Sequence, residues 1–249
     1  MANMTRSPVM IYQGLRARKE CQAVASADQP SLVRRLPGFG RRAPRRREPW
    51  PWLKPGIFLG GLVPLVWMAL RAGAGALSAN PIAEIENELG LTALIFLLAS
   101  LACTPAKRLL GWTWQMRVRR ELGLFAFFYA SLHFLAYLVL DQFFDWGAIV
   151  ADIAQRPFIT VGFVALVLMT PIAFTSTNGW VRRLGYLRWQ RIHQVVYLAG
   201  ALAVVHFIWR VKLDVSQPLV YAAIFATLIA LRLILWLRKR AAERPSVRR

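Results

Sequence analysis

Residues 123–140 read GLFAFFYASLHFLAYLVL, an apolar run interrupted near its middle by His133. A run of this length and composition suits a helix crossing the ~30 Å hydrocarbon core of a bilayer. The other two histidines of the chain, His193 and His206, bracket a second such stretch, HQVVYLAGALAVVH at 193–206. Ionisable side chains are expensive in lipid, so their presence inside apolar spans marks a functional-site hypothesis. Imidazole is a preferred ligand of iron, copper and zinc. Three imidazoles on two membrane helices, with little other buried polar chemistry, point to a metal centre, with haem the best candidate.

The rest of the composition agrees with a membrane setting. The chain has 249 residues, is 57% hydrophobic and has a mean hydropathy of +0.41, which is too apolar for an ordinary soluble domain. Its net charge of +20 gathers at the ends of apolar runs, where anionic lipid head groups lie, and this argues against nucleic acid as the partner. Two cysteines, Cys21 and Cys103, stand far apart and outside any CxxC, so neither a disulfide framework nor a thiolate metal site is expected. Residues 1–50 are basic, rich in proline and glycine, and lack the apolar core of a signal peptide. They read as a disordered cytoplasmic extension.

The spacing of apolar runs predicts an all-α polytopic fold with six transmembrane helices forming a haem-binding bundle. The spans fall at roughly 55–71, 90–106, 122–140, 158–176, 192–210 and 218–237. The bundle therefore occupies 51–237, followed by a basic tail at 238–249. Pro64 and Pro105 shorten or break the first two spans, and Pro171 should bend the fourth. Lys107, Arg108, Arg117, Arg119, Arg120, Arg182, Arg183, Arg188, Arg191, Arg238, Lys239 and Arg240 lie on one side of the spans. Glu84, Glu86, Glu88, Asp141, Asp145, Asp152 and Asp214 lie on the other. The positive-inside rule then places both termini in the cytoplasm.

His133 lies ~16 Å from the inner end of its span, and His206 ~22 Å along its own. A modest tilt brings the two to one depth, where imidazoles from facing helices could ligate iron from both sides. His193 sits ~20 Å below His206, which suits a second haem, but thirteen residues of ideal helix leave the two rings ~140° apart. That span would need an irregular turn, or protein contact on two sides. No histidine of the third span matches His193; Arg119 and Arg120 stand there instead. Arg182, Arg183, Arg188 and Arg191 could meet haem propionates, a quinone head group or a flavin phosphate, or could merely set topology. A lone membrane histidine is often an interhelical hydrogen-bond partner. Tyr129, Tyr137 and Tyr197, spaced four residues from a histidine, could line a porphyrin or simply pack.

LGLFAFFYASLHFLAYLVLDQFFDW (122–146), RPFITVGFVALVLMTPIAFTSTNGWVRRLG (156–185) and RWQRIHQVVYLAGALAVVHFIWRVK (188–212) resemble a known family. It is the haem-binding membrane subunit of the bacterial periplasmic methionine sulfoxide reductase system, the MsrQ (YedZ) family, within the ferric-reductase-like transmembrane group. The resemblance covers about 50–237 and implies an inner-membrane b-type cytochrome with one or two haems b on His133, His193 and His206. It further implies electrons drawn from the quinone pool, with FMN or a cytoplasmic flavin reductase as a further route. The acceptor it implies is a periplasmic molybdopterin-containing methionine sulfoxide reductase catalytic subunit. On this reading the chain is an electron-transfer subunit rather than the catalytic one. Related ferric reductases carry a fused flavin and nicotinamide domain; this chain has no GxGxxG and little length after 237, so a quinol or separate protein is the expected donor. Two other classes compete: a metal-ion or proton transporter using the same histidines, and a haem-free anchor or assembly factor in which they are structural.

Overall fold

The computed structural model describes residues 52–211 and 214–242; the basic extension expected at 1–50 and the end of the tail lie outside them. The described residues form nine α-helices: α1 (Leu53–Gly73), α2 (Pro81–Leu110), α3 (Gln115–Ala136), α4 (Trp146–Gln155), α5 (Pro157–Phe174), α6 (Asn178–Leu184), α7 (Tyr186–Gln194), α8 (Val196–Arg210) and α9 (Ser216–Ala242). A single π-helical turn, Tyr137–Asp141, extends α3. Six helical segments are long and apolar enough to cross a membrane, with α3 and its π turn counted as one and α7 with α8 as another. The chain is an all-α, multi-pass membrane protein.

The helices begin where local chemistry satisfies their free N–H groups. Asn80 accepts a hydrogen bond from the Ala83 N–H ahead of Pro81 at the start of α2, and Asp145 accepts from the Ala148 N–H at the start of α4. Asp214 does the same for α9, accepting from the Ser216 N–H at 2.9 Å, and hydrogen bonding to Ser216 holds its carboxyl below the usual range.

Pro64 and Pro105 do not break their spans. α1 runs through the first and α2 through the second. Around Pro64 the Tyr129 hydroxyl enters the ladder, donating to the Gly61 carbonyl at 2.7 Å and accepting from the Leu65 N–H at 3.3 Å. A neighbouring helix thus covers the groups that a proline loosens, which is how lipid-embedded helices tolerate one. α5 ends one turn after Pro171, where the Thr175 hydroxyl caps the Pro171 carbonyl at 2.6 Å. The last span extends to Ala242, beyond the limit of 237 expected from hydropathy.

α2 is the central element: half of its most apolar window is buried inside the protein, against none for α9. It packs most extensively along α3, and α5 packs in the same way along α8. These two helix pairs meet through small residues. Ala126 of α3 and Ala199 of α8 are wholly buried in one cluster with Leu97 and Met169. Small side chains let helix backbones approach where no hydrophobic effect drives them together. α1 flanks α3, and α9 lies against α2 and α8. At the acid-rich end, Arg71 of α1 pairs with Glu84 and with Glu88 of α2, the latter at 2.7 Å.

Candidate metal centre

Each helix pair carries one histidine in its seam, and the two rings meet between the pairs. His133 of α3 turns toward α2, where its Nδ1 lies 2.8 Å from the Glu86 carbonyl. His206 of α8 turns toward α5, where its Nδ1 lies 2.7 Å from the Phe158 carbonyl. A carbonyl can only accept, so in both rings Nδ1 carries the proton and Nε2 holds a bare lone pair. No hydrogen bond to Nε2 of either ring occurs among the described residues. This is how proteins prepare a metal-binding imidazole: the second nitrogen fixes the tautomer and the ring's orientation.

A helical carbonyl is normally screened by the side chain one turn further on. Here that position is glycine in both cases. A Cβ at Gly90, four residues after Glu86, would stand 3.3 Å from His133 Nδ1; one at Gly162, four residues after Phe158, would stand 2.7 Å from His206 Nδ1. The site therefore uses the same device twice: a glycine opens the helix surface, and the carbonyl exposed beneath it anchors a histidine from the facing helix.

The separation of the rings tests what could lie between them. Their centroids are 6.1 Å apart with planes at 73°. A metal held between two imidazoles, at about 2.0 Å from each nitrogen, would need a separation of this order. A spacing of this size would allow His133 and His206 to hold one iron between them. No group of three or more His, Cys, Asp or Glu side chains converges as a metal site among the described residues. Two imidazoles would leave the rest of an iron's coordination to a second group, and a porphyrin would supply it.

His193 is set differently. Its Nδ1 lies 3.1 Å from the Trp189 carbonyl in its own helix, its Nε2 lies 3.4 Å from the Ser176 hydroxyl, and its ring lies 4.0 Å from that of Trp189. Arg119 of α3 is within electrostatic reach of it. An irregular turn lies between His193 and His206 at Val195, whose N–H bonds three residues back to the Ile192 carbonyl at 3.2 Å. Such a tightened turn rotates the following residues further than an α-helical residue would.

Arg182, Arg183, Arg188 and Arg191 are all exposed on α6 and α7, where Gly185, at φ 75°, breaks the helix between them. Arg183 lies over the Trp180 ring at 5.6 Å. The three tyrosines are engaged in packing: Tyr129 with α1, Tyr137 with Asp152 at 3.2 Å, and Tyr197 beneath the Arg232 guanidinium at 5.0 Å. Sequence reasoning missed Gly90, Gly162 and the two carbonyls. The available signal was an isolated glycine inside each of two apolar helices, where it costs about 1 kcal/mol against alanine and so marks a close approach.

Residues 87–205 match the family model described as the ferric reductase like transmembrane component. Over 188 residues the chain is 54% identical to the protein-methionine-sulfoxide reductase heme-binding subunit MsrQ of Rhodospirillum rubrum, spanning 76% of this chain and 90% of that protein. The chain belongs to the MsrQ family. Its likeness to the MsrQ of Deinococcus radiodurans is 50% over 189 residues, covering 93% of that relative, and to that of Caulobacter vibrioides 46% over 190 residues, covering 90%. In this MsrQ-family chain the matched core begins at Asn87, beside the carbonyl that anchors His133. It ends at Val205, next to His206.

Proposed function

We propose that this chain is the b-type cytochrome membrane subunit of a system that reduces methionine sulfoxide in oxidised periplasmic proteins. The observation that carries the reading is the His133–His206 pair, two Nδ1-anchored imidazoles 6.1 Å apart with both Nε2 atoms free. The names of the relatives, heme-binding subunits of a protein-methionine-sulfoxide reductase, support it. His133 and His206 hold one haem b. His193 serves a second one nearer the Arg-rich end, where Arg182, Arg183, Arg188 and Arg191 are available to an anionic donor or cofactor. When bound, haem supplies one-electron carriage between a quinol, or a flavin such as FMN, and an acceptor beyond the opposite face. The protein's own part is to hold iron in low dielectric and to set its potential by ligand identity and burial. The acceptor is a separate molybdopterin-containing catalytic subunit in the periplasm. The chain lies in the inner membrane with both termini cytoplasmic, as the placement of its basic residues favours.

The test is a reduced-minus-oxidised spectrum of the purified protein with haem quantified per chain. A b-type band lost in His133→Ala and in His206→Ala is expected. Colourless protein that instead binds zinc through these histidines would favour transport.

A further inference from the structure

Among the described residues, three bases stand at the acid-rich end of the bundle: Arg71, Arg156 and Arg210. Arg71 is neutralised by Glu84 and Glu88, and Arg156 by Asp152 at 2.9 Å. Among the described residues, no carboxylate lies within ion-pair distance of Arg210. Its hydrogen-bond partner is the neutral side-chain oxygen of Asn87. A partly buried guanidinium with five donors, one engaged by an amide, has capacity left for an anion.

Its position says which anion. Arg210 follows His206 by one turn of α8, on the same face and ~6 Å nearer the end of the bundle. Asn87 adjoins Glu86, whose carbonyl anchors His133. The Arg210–Asn87 contact, formed across 123 positions of sequence, therefore closes the gap between the two imidazoles on its acid-rich side. Arg210 is within electrostatic reach of both rings. The Glu86 carboxyl is also within reach but not in an ion pair, and its Oε1 has no hydrogen-bond partner. Arg182, Arg183, Arg188 and Arg191 lie at the opposite end of the spans and cannot serve this edge.

We propose that Arg210, steadied by Asn87, is the carboxylate-binding edge of the His133–His206 site and takes a propionate of the bound haem. The inference rests on the haem reading above. Guanidinium and carboxylate match as a bidentate pair, and such a contact fixes the rotation of the porphyrin as well as adding affinity. A lipid phosphate at the membrane surface is the other anion with matching chemistry, and the test separates the two.

Full-length protein, stripped of haem, is reconstituted with haem b or with its dimethyl ester, which has no ionisable propionate. Transfer of porphyrin to excess apomyoglobin is then followed. Arg210→Met should lose haem b about tenfold faster than wild type, equivalent to about 1.4 kcal/mol, with Arg210→Lys in between. With the ester, all three proteins should lose porphyrin at one rate. The midpoint potential with haem b should fall in Arg210→Met, because removing a nearby cation favours the ferric form. Equal loss of haem b by wild type and both variants overturns the proposal. So does a tenfold difference that persists with the ester, which would assign Arg210 to lipid or to Glu86. A wild-type protein that takes up neither porphyrin overturns the haem reading itself.

Discussion

His133 and His206 reach their anchoring carbonyls only because Gly90 and Gly162 have no side chain. The rings are held by carbonyl bonds of 2.8 and 2.7 Å, so they cannot retreat from an added methyl without giving up the bond that fixes their tautomer. The cost should be unequal. At Gly162 the new Cβ would stand 2.7 Å from His206 Nδ1, closer than real Cβ contacts allow, whereas at Gly90 the distance is 3.3 Å. Disturbing the group that orients a metal-binding imidazole costs roughly 10–100-fold in affinity. Gly162→Ala should fall in that range, and Gly90→Ala below it, in haem content and in the low-spin electron-resonance signal of the purified protein. Equal effects would show that the glycines serve general packing instead. His193→Ala should remove the signal of the second haem and leave that of the His133–His206 centre intact, since the hydrogen-bond partners of His193 among the described residues are Trp189 and Ser176. The histidines were legible in sequence because charge-bearing groups stand out in an apolar run. The glycines were not, because nothing in a single chain says which facing residue will press against a missing Cβ.

At the scale of the element, two departures from the ideal helix have identifiable causes. α1 contains Pro64 yet continues, because the Tyr129 hydroxyl bridges the Gly61 carbonyl and the Leu65 N–H. Tyr129→Phe leaves these groups facing apolar surroundings, at about 1–3 kcal/mol. The variant should melt at a lower temperature in detergent and expose α1 to protease before the other spans. Unchanged melting would mean that α1 closes its own ladder. The second departure is the 3₁₀ turn at Val195, which separates α7 from α8. Hydropathy sees one span here, and correctly, since both halves are apolar enough to cross together. The angle between His193 and His206 raised such a turn as one of two ways to bring them to use, the other being contact on two sides of the helix. Its location was not readable, because a tightened turn leaves no mark in composition.

For the whole molecule, the separation of charge is the organising fact. Among the described residues, acidic groups cluster where α1 meets α2 and around α4, and exposed arginines gather on α6 and α7 at the other end. We expect a single cysteine introduced at Ser216 to react with a membrane-impermeant thiol reagent added to intact spheroplasts of a Cys21→Ser, Cys103→Ser background. One introduced at Gly179 should react only after lysis. The reverse pattern would invert the proposed orientation. By itself the sequence determined the number of spans and the three histidines worth attention. Those properties depend on the free energy of placing each side chain in lipid or water, which is additive along the chain. Only the tertiary structure decided that His133 and His206 face each other across 6.1 Å while His193 turns to Trp189. It also placed Arg210 against Asn87 at the edge of that gap. Those facts depend on the rotation and approach of one helix against another, set by small residues such as Ala126, Ala199, Gly90 and Gly162, whose partners lie far away in sequence.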